Sequence, residues 1–303
     1  MTFPTHIVCP VDFSGPSARA LEYAVAISRW YGARLTVLHA HQMLVLPLMA
    51  VGPYAGPALP AVLSDADRAQ LDAALTHFVA DHATRDVHTT TALVEDVNVP
   101  AAILSHAEMV GADLVVIGTE GRSGFQRLML GSVAERVLRK ATCPVLTVPP
   151  HAAPALPSPD TIREVLCPID FSASSTAALQ WAASWAAKAG AGVTALHVVE
   201  MPPEAADPPL VEYTALRDRL VRDARQEMER TVPDAMRQLD RFEAHVTVGR
   251  PAAEILRQAE GQSAGLIVMG VRGRSAVDLA FFGSTTHQVI RRSACPVLAV
   301  HPE

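Results

Sequence analysis

Cys9-Pro10-Val11-Asp12-Phe13-Ser14 is written again, 158 residues further on, as Cys167-Pro168-Ile169-Asp170-Phe171-Ser172. The repeat spreads outward from this stretch. Leu38-His39 returns as Leu196-His197 at the same offset, and Pro100-Ala101-Ala102 returns as Pro251-Ala252-Ala253. From Gly118 onward the offset is 152, through Gly131-Ser132 against Gly283-Ser284 and Cys143-Pro144-Val145-Leu146 against Cys295-Pro296-Val297-Leu298. One supersecondary unit therefore occurs twice in tandem, with a loop shortened in the second copy. A chain of 303 residues has room for two domains of about 150 residues each. Between the copies, Pro149 to Asp160 contains five prolines and reads as a semi-rigid linker. The expected division is residues 1–150, a Pro/Ala-rich linker at 151–160, and residues 161–303.

Composition narrows the class. Half of the residues are hydrophobic and the net charge is −6, with Lys140 and Lys188 as the only lysines. Such a chain buries enough apolar surface to fold throughout, and it lacks the basic footprint of a nucleic-acid-binding protein. The apolar run Met43 to Val51 is interrupted by Pro47 and is far shorter than the roughly 20 residues that cross a bilayer. Met1 to His6 has neither the basic start nor the apolar stretch of a secretory signal. The expectation is a cytoplasmic protein without a membrane partner. The cysteines fall into equivalent pairs, Cys9 with Cys167 and Cys143 with Cys295, without Cys-x-x-Cys spacing. That excludes a zinc ribbon or a disulfide framework and predicts reduced packing residues.

Each copy alternates short β-rich runs with helical patterns, the signature of βαβ units and a parallel sheet. In the first copy the runs predict strands near 6–11, 34–39, 87–94, 113–118 and 144–148. Ser14 is a candidate N-cap, Pro16 suits a first turn, and Ala20, Leu21, Ala24, Ile27 and Tyr31 recur at helical spacing until Gly32. Ser172 and Gly190 bracket the matching helix. A second helix is expected from Ser64 to about Ala83. Its charged counterpart from about Glu212 should be kinked or ended by Pro233. The stretch from His41 to Leu63 is long, apolar and rich in proline. It reads either as a flap packed on its own domain or as a lid or partner surface beside a crevice.

The chemistry concentrates at Val115-Val116-Ile117-Gly118-Thr119-Glu120-Gly121-Arg122-Ser123-Gly124, which leads on to Gly131-Ser132. An apolar strand ends in glycine, a second glycine follows, and Gly-Ser opens a helix. Gly270, Gly273, Gly283 and Ser284 repeat the spacing. Glycines here permit positive φ and close approach to a ligand. A helix starting at Gly-Ser offers backbone N–H groups, a hydroxyl and a dipole to a phosphate. A tight strand-to-helix turn is the structural alternative. Arg122 and Arg274 hold equivalent places and either face phosphate or are surface charges.

Asp12 and Asp170 sit where the first strand of each copy ends. In open parallel sheets ligands bind beyond the carboxyl ends of strands, where strand order reverses. A chain that winds outward through its second and third strands and then crosses back makes neighbours of the first and fourth. Asp12 then faces Gly118 across the crevice and accepts from a ribose hydroxyl or an adenine amine, helps to position a metal, or caps the next helix.

With these residues in view, both copies resemble the universal stress protein family, over about Phe3 to Val148 and Arg163 to Val300. Its nucleotide-binding members carry Gly-x2-Gly-x9-Gly-(Ser/Thr), complete in both copies here. The opening aspartate and the terminal Cys-Pro-Val-Leu strand match as well. The resemblance implies a Rossmann-like fold of adenine nucleotide alpha hydrolase-like type, a five-stranded parallel sheet in the order 3-2-1-4-5 with helices on both faces. It implies ATP at the first and fourth strands, with Mg2+ bound through the phosphates. It also implies pairing through the last strand, which here joins the two copies into an intramolecular pseudo-dimer and leaves a homodimer of whole chains as a further option. In such a fold the end of the second strand, Val37 to Ala40 and Leu196 to Val198, lies by the adenine, so His39 and His197 are either neighbours of the base or structural.

The copies depart from the pattern in two places. Asn98 replaces the glycine seen at Gly249 two residues before the proline of the third helix, and is expected to keep a left-handed turn there. Ala276 replaces Gly124, which weakens the case for the second site. Neither glycine loop contains a lysine, and both the Walker A and the protein-kinase motifs are missing. A nucleotide-dependent stress-response or signalling module therefore fits better than a slow ATPase or phosphotransfer enzyme, and no catalytic or metal-ligating residue is assigned.

Overall fold

The computed structural model describes residues 3–46, 59–60, 62–82, 86–121, 130–153, 162–201, 210–271 and 283–301. The first half runs β1 (His6–Pro10), α1 (Gly15–Tyr31), β2 (Arg34–Gln42), β3 (Val45–Leu46), β4 (Leu59–Pro60), α2 (Asp65–His82), β5 (Thr89–Asp96), α3 (Val99–Met109), β6 (Leu114–Gly118), α4 (Ser132–Lys140) and β7 (Val145–Val148). The second runs β8 (Glu164–Pro168), α5 (Ala173–Ala189), β9 (Gly192–Val199), α6 (Leu210–Thr231), α7 (Asp234–Arg237), β10 (Phe242–Val248), α8 (Pro251–Gly261), β11 (Leu266–Gly270), α9 (Ser284–Arg292) and β12 (Val297–Val300).

Ser14 and Gly32 delimit α1 as their chemistry dictates. The Ser14 backbone is extended and its hydroxyl accepts from the Ser17 N–H, Pro16 fills the first turn, and Gly32 ends the helix at φ 69°. Ser172 and Gly190, at φ 63°, do the same for α5. With caps at both ends, each helix leaves the tip of the first strand at a fixed angle and returns to start the second.

Ten strands form one sheet in the order β10-β9-β8-β11-β12-β7-β6-β1-β2-β5. In this sheet the pairings within each half are all parallel and the five strands of each half lie in the order 3-2-1-4-5, so its first and fourth strands are neighbours. β7 and β12 meet antiparallel with Leu146 opposite Leu298. The carboxyl ends of the strands therefore point to opposite edges of the sheet in the two halves.

Helices cover both faces, which is why the central strands are apolar along their whole length rather than alternating with polar residues. Successive side chains still divide between two layers. One layer joins Cys9, Val37, Leu146, Cys167 and Leu298 to α1, α2, α5 and α6. The other joins Val8, Val115, Val145, Ile267 and Val297 to α3, α4, α8 and α9. Both layers contain residues of both halves and cross the seam without interruption. At the seam, the hydroxyl of fully buried Thr147 donates to the Val297 carbonyl at 3.1 Å, and the His301 ring bonds the Leu138 carbonyl at 2.9 Å.

Some expectations change. β2 extends to Gln42 because β5 continues beside it as far as Asp96. The His41–Leu63 stretch is not all loop: β3 and β4 pair antiparallel within it, while 47–58 and 61, and with them its role as flap or lid, lie outside the described residues. Asn98 is not left-handed. At φ −122° its side chain caps α3 by accepting from the Ala101 N–H, so asparagine substitutes here through its carbonyl oxygen rather than its backbone tolerance. Pro233 ends the long helix: α6 stops at Thr231 and α7 begins after the proline. The linker begins as structure, since buried Ala152 donates to the Pro149 carbonyl; 154–161 lie outside the described residues. All four cysteines are free. Burial pushes their thiols up, that of Cys143 to about 11, so they stay protonated and pack as small apolar groups. Among the described residues no helix is long and apolar enough to cross a membrane.

Candidate functional site

At the carboxyl end of β1 the chain makes a tight turn, and most of its polar groups are accounted for. Oδ1 of Asp12 accepts from the Ser14 N–H at 3.1 Å and from the Ser14 hydroxyl at 2.5 Å, while the Asp12 N–H donates to the Ser17 hydroxyl at 3.3 Å. Asp170 repeats this arrangement with Ser172 at 3.1 and 2.6 Å. These contacts tie each aspartate to the start of the next helix. One oxygen braces the helix start, whereas Oδ2 of Asp12 lies 3.0 Å from the position a Cβ on Gly121 would take. The neighbouring β1 and β6 bring the first motif and the glycine loop together.

The glycines act through space rather than through φ. Among the described glycines only Gly32, Gly111 and Gly190 have positive φ, so Gly118, Gly121, Gly131, Gly270 and Gly283 do not supply the left-handed turns expected of them. At Gly118 a Cβ would sit 3.0 Å from the Pro16 carbonyl oxygen, and at Gly270 it would sit 2.7 Å from Ser174 Cβ and 2.8 Å from its carbonyl carbon. These two glycines let the first turn of α1 or α5 close onto the fourth strand. Gly131 allows a similar closeness between the start of α4 and the loop after β6, since its Cβ would stand 3.3 Å from the Thr119 carbonyl oxygen.

Helix α4 starts at Ser132 with Gly131 as its N-cap, and α9 starts at Ser284 with Gly283. The Gly131 N–H is already spent on Thr119 O at 2.8 Å, and that of Gly283 on Val271 O at 3.1 Å. The donors that the helix leaves without an intrahelical acceptor are the N–H groups of Ser132, Val133 and Ala134, and of Ser284, Thr285 and Thr286. Among the described residues no side chain caps either start. Glu135, in the first turn of α4, is paired with Arg139 at 3.1 Å, which offsets its charge near the helix N-terminus.

The end of the second strand departs from the sequence reading. Val37 is fully buried in mid-strand opposite Cys9, with its side chain in the core. Carried onward, the register that sets Pro10 opposite Leu38 puts Ala40 level with Asp12. Buried His39 donates through Nδ1 to the Val11 carbonyl at 2.8 Å and stacks on Phe13 with ring centroids 4.4 Å apart. His197 does the same with Ile169 O at 2.7 Å and Phe171 at 4.4 Å. Sequence reasoning missed the two phenylalanines, whose backbones lie at φ 64°. Their repetition directly after both aspartates was the available signal. Arg122, Gly273 and Arg274 lie outside the described residues.

Similarity to known proteins agrees with this architecture. The model of the universal stress protein family matches twice, at residues 4–149 and 161–301. A universal stress protein of Mycolicibacterium smegmatis is 27% identical over 300 residues, covering 98% of this chain and 97% of that one. One from Methanocaldococcus jannaschii is 34% identical over 148 residues, 47% of this chain and 80% of its own length. Among solved structures, a universal stress protein from Archaeoglobus fulgidus superposes with a TM-score of 0.65 at 24% identity, over 99% of both chains. With two matches that together take in nearly all of its length, the chain belongs to the universal stress protein family, as a tandem of two such units.

Proposed function

We propose that each half binds one adenine nucleotide, ATP with Mg2+ carried on its phosphates, and that the chain is a nucleotide-dependent stress-response module of the cytoplasm. The observation that carries this is the approach of Asp12 Oδ2 to Gly121 beside the uncapped start of α4. A carboxylate that accepts hydrogen bonds, a space that any Cβ would fill, and a helix N-terminus line one crevice, and they suit respectively a ribose hydroxyl, the sugar-phosphate backbone and the phosphates. The nucleotide supplies charge and shape to be read; the residues named bind and orient it. Antiparallel pairing of β7 with β12 supports reading the chain as a pseudo-dimer of its own halves. With the sites facing opposite edges, the two nucleotides do not touch.

The two sites are expected to differ. Gly124 and Arg127 in the first loop are replaced by Ala276 and Leu279 in the second, with Asp278 alongside, so the first sequence keeps a third loop glycine, with its wider choice of backbone angles, and an arginine the second lacks at that place. Arg272 partly offsets the difference, which should stay within about tenfold, or roughly 1.4 kcal/mol. Calorimetric titration with MgATP of Gly283→Asp, which leaves the first site, and of Gly131→Asp, which leaves the second, measures it. Equal affinities would remove the argument from loop composition, and absence of binding in both would remove the sites.

A further inference from the structure

Bulky residues seldom adopt a left-handed backbone, and where they do the surroundings hold them there. Phe13 and Phe171 do so at the same φ of 64°, each directly after the aspartate of its half. In both, the ring lies on the histidine of the second strand, at 34° in one half and 31° in the other. Phe13 also meets the edge of Phe78 from α2 at 5.6 Å. The histidine in turn holds the carbonyl just before the aspartate, so a closed circuit runs from strand to histidine to phenylalanine and back to the turn. A strained conformation kept in both halves, with the equivalent histidine against the ring in each, points to a geometric requirement at the residue before it.

We infer that Phe13 with His39, and Phe171 with His197, are positioning residues for the aspartate: the left-handed phenylalanine, clamped on the histidine, keeps one carboxylate oxygen on the serine, and in the first half it thereby presents the other to Gly121. The inference rests on the nucleotide-binding reading for its functional consequence, but its geometry stands alone. The histidines then act through the turn rather than by touching the base. With the ring removed and a Cβ retained, the strain is no longer offset and the turn relaxes to negative φ. Glycine also removes the ring, yet it tolerates φ near +64° without steric cost.

The test compares Phe13→Ala/Phe171→Ala, Phe13→Gly/Phe171→Gly and Phe13→Tyr/Phe171→Tyr in the full chain, by nucleotide-free crystal structure and by calorimetric titration with MgATP. The alanine pair is expected to swing the Asp12 carboxylate off Ser14 and to weaken binding by tenfold or more. The tyrosine pair should stay within about twofold of the parent, and the glycine pair should fall between. Recovery by glycine separates positioning from packing, because glycine buries even less than alanine. An unmoved carboxylate in the alanine pair, or glycine binding no better than alanine, overturns the inference. If the parent itself does not bind, the nucleotide reading fails, and the crystal structures still decide the positioning role.

Discussion

Gly270→Ala is expected to destabilise the protein by about 2–3 kcal/mol, the cost typical of forcing extra volume into a closely packed contact. The new Cβ would meet Ser174 Cβ at 2.7 Å, its carbonyl carbon at 2.8 Å and the Ser175 nitrogen at 2.9 Å. None of these belongs to the far end of a flexible side chain, so the start of α5 must move off β11. Gly118→Ala meets the Pro16 carbonyl oxygen at 3.0 Å and carbon at 3.2 Å, and should cost less, about 1–2 kcal/mol. Chemical denaturation of the two variants checks both size and order. If Gly270→Ala proved as stable as the parent, the close approach of α5 to β11 would be contradicted.

The double variant Gly131→Asp/Gly283→Asp is expected to lose MgATP binding by more than about 100-fold, roughly 2.7 kcal/mol per site, while remaining folded. Aspartate is a favoured N-cap, and its charge suits the positive end of a helix, so α4 and α9 should tolerate it. The same carboxylate would occupy the place proposed for phosphate and repel it. Thermal melting should show a midpoint near that of the parent, and titration should show no heat of binding. Retained affinity in this folded variant would exclude the two helix starts as the phosphate sites.

The fold was legible because it is written twice. The cap at Ser14, the stop at Gly32 and the apolar runs near 114–118 and 145–148 each have a local physical cause, and each recurs in the second copy. The crevice was legible as a place, since strand order alone brings Asp12 to the glycine loop. What local sequence does not carry is which close contact a glycine serves. Gly118 and Gly270 look like loop residues, but they are demanded by a helix whose sequence lies about a hundred residues earlier. Val37 sits in mid-strand rather than at the strand's end for a related reason. A strand's useful end depends on how far its neighbour continues, and β5 carries β2 three residues past the predicted stop at His39. Phe13 shows a third limit: nothing local announces its φ of 64°, and the histidine its ring lies on is 26 positions away.

The most direct measurement is the number and identity of small molecules held by the intact chain. The protein, saturated with MgATP and freed of excess by gel filtration, is denatured and the supernatant analysed by mass spectrometry. The account predicts an adenine nucleotide approaching two equivalents per chain, one from each half. No nucleotide released, together with no heat on titration of the same preparation with MgATP, would contradict it.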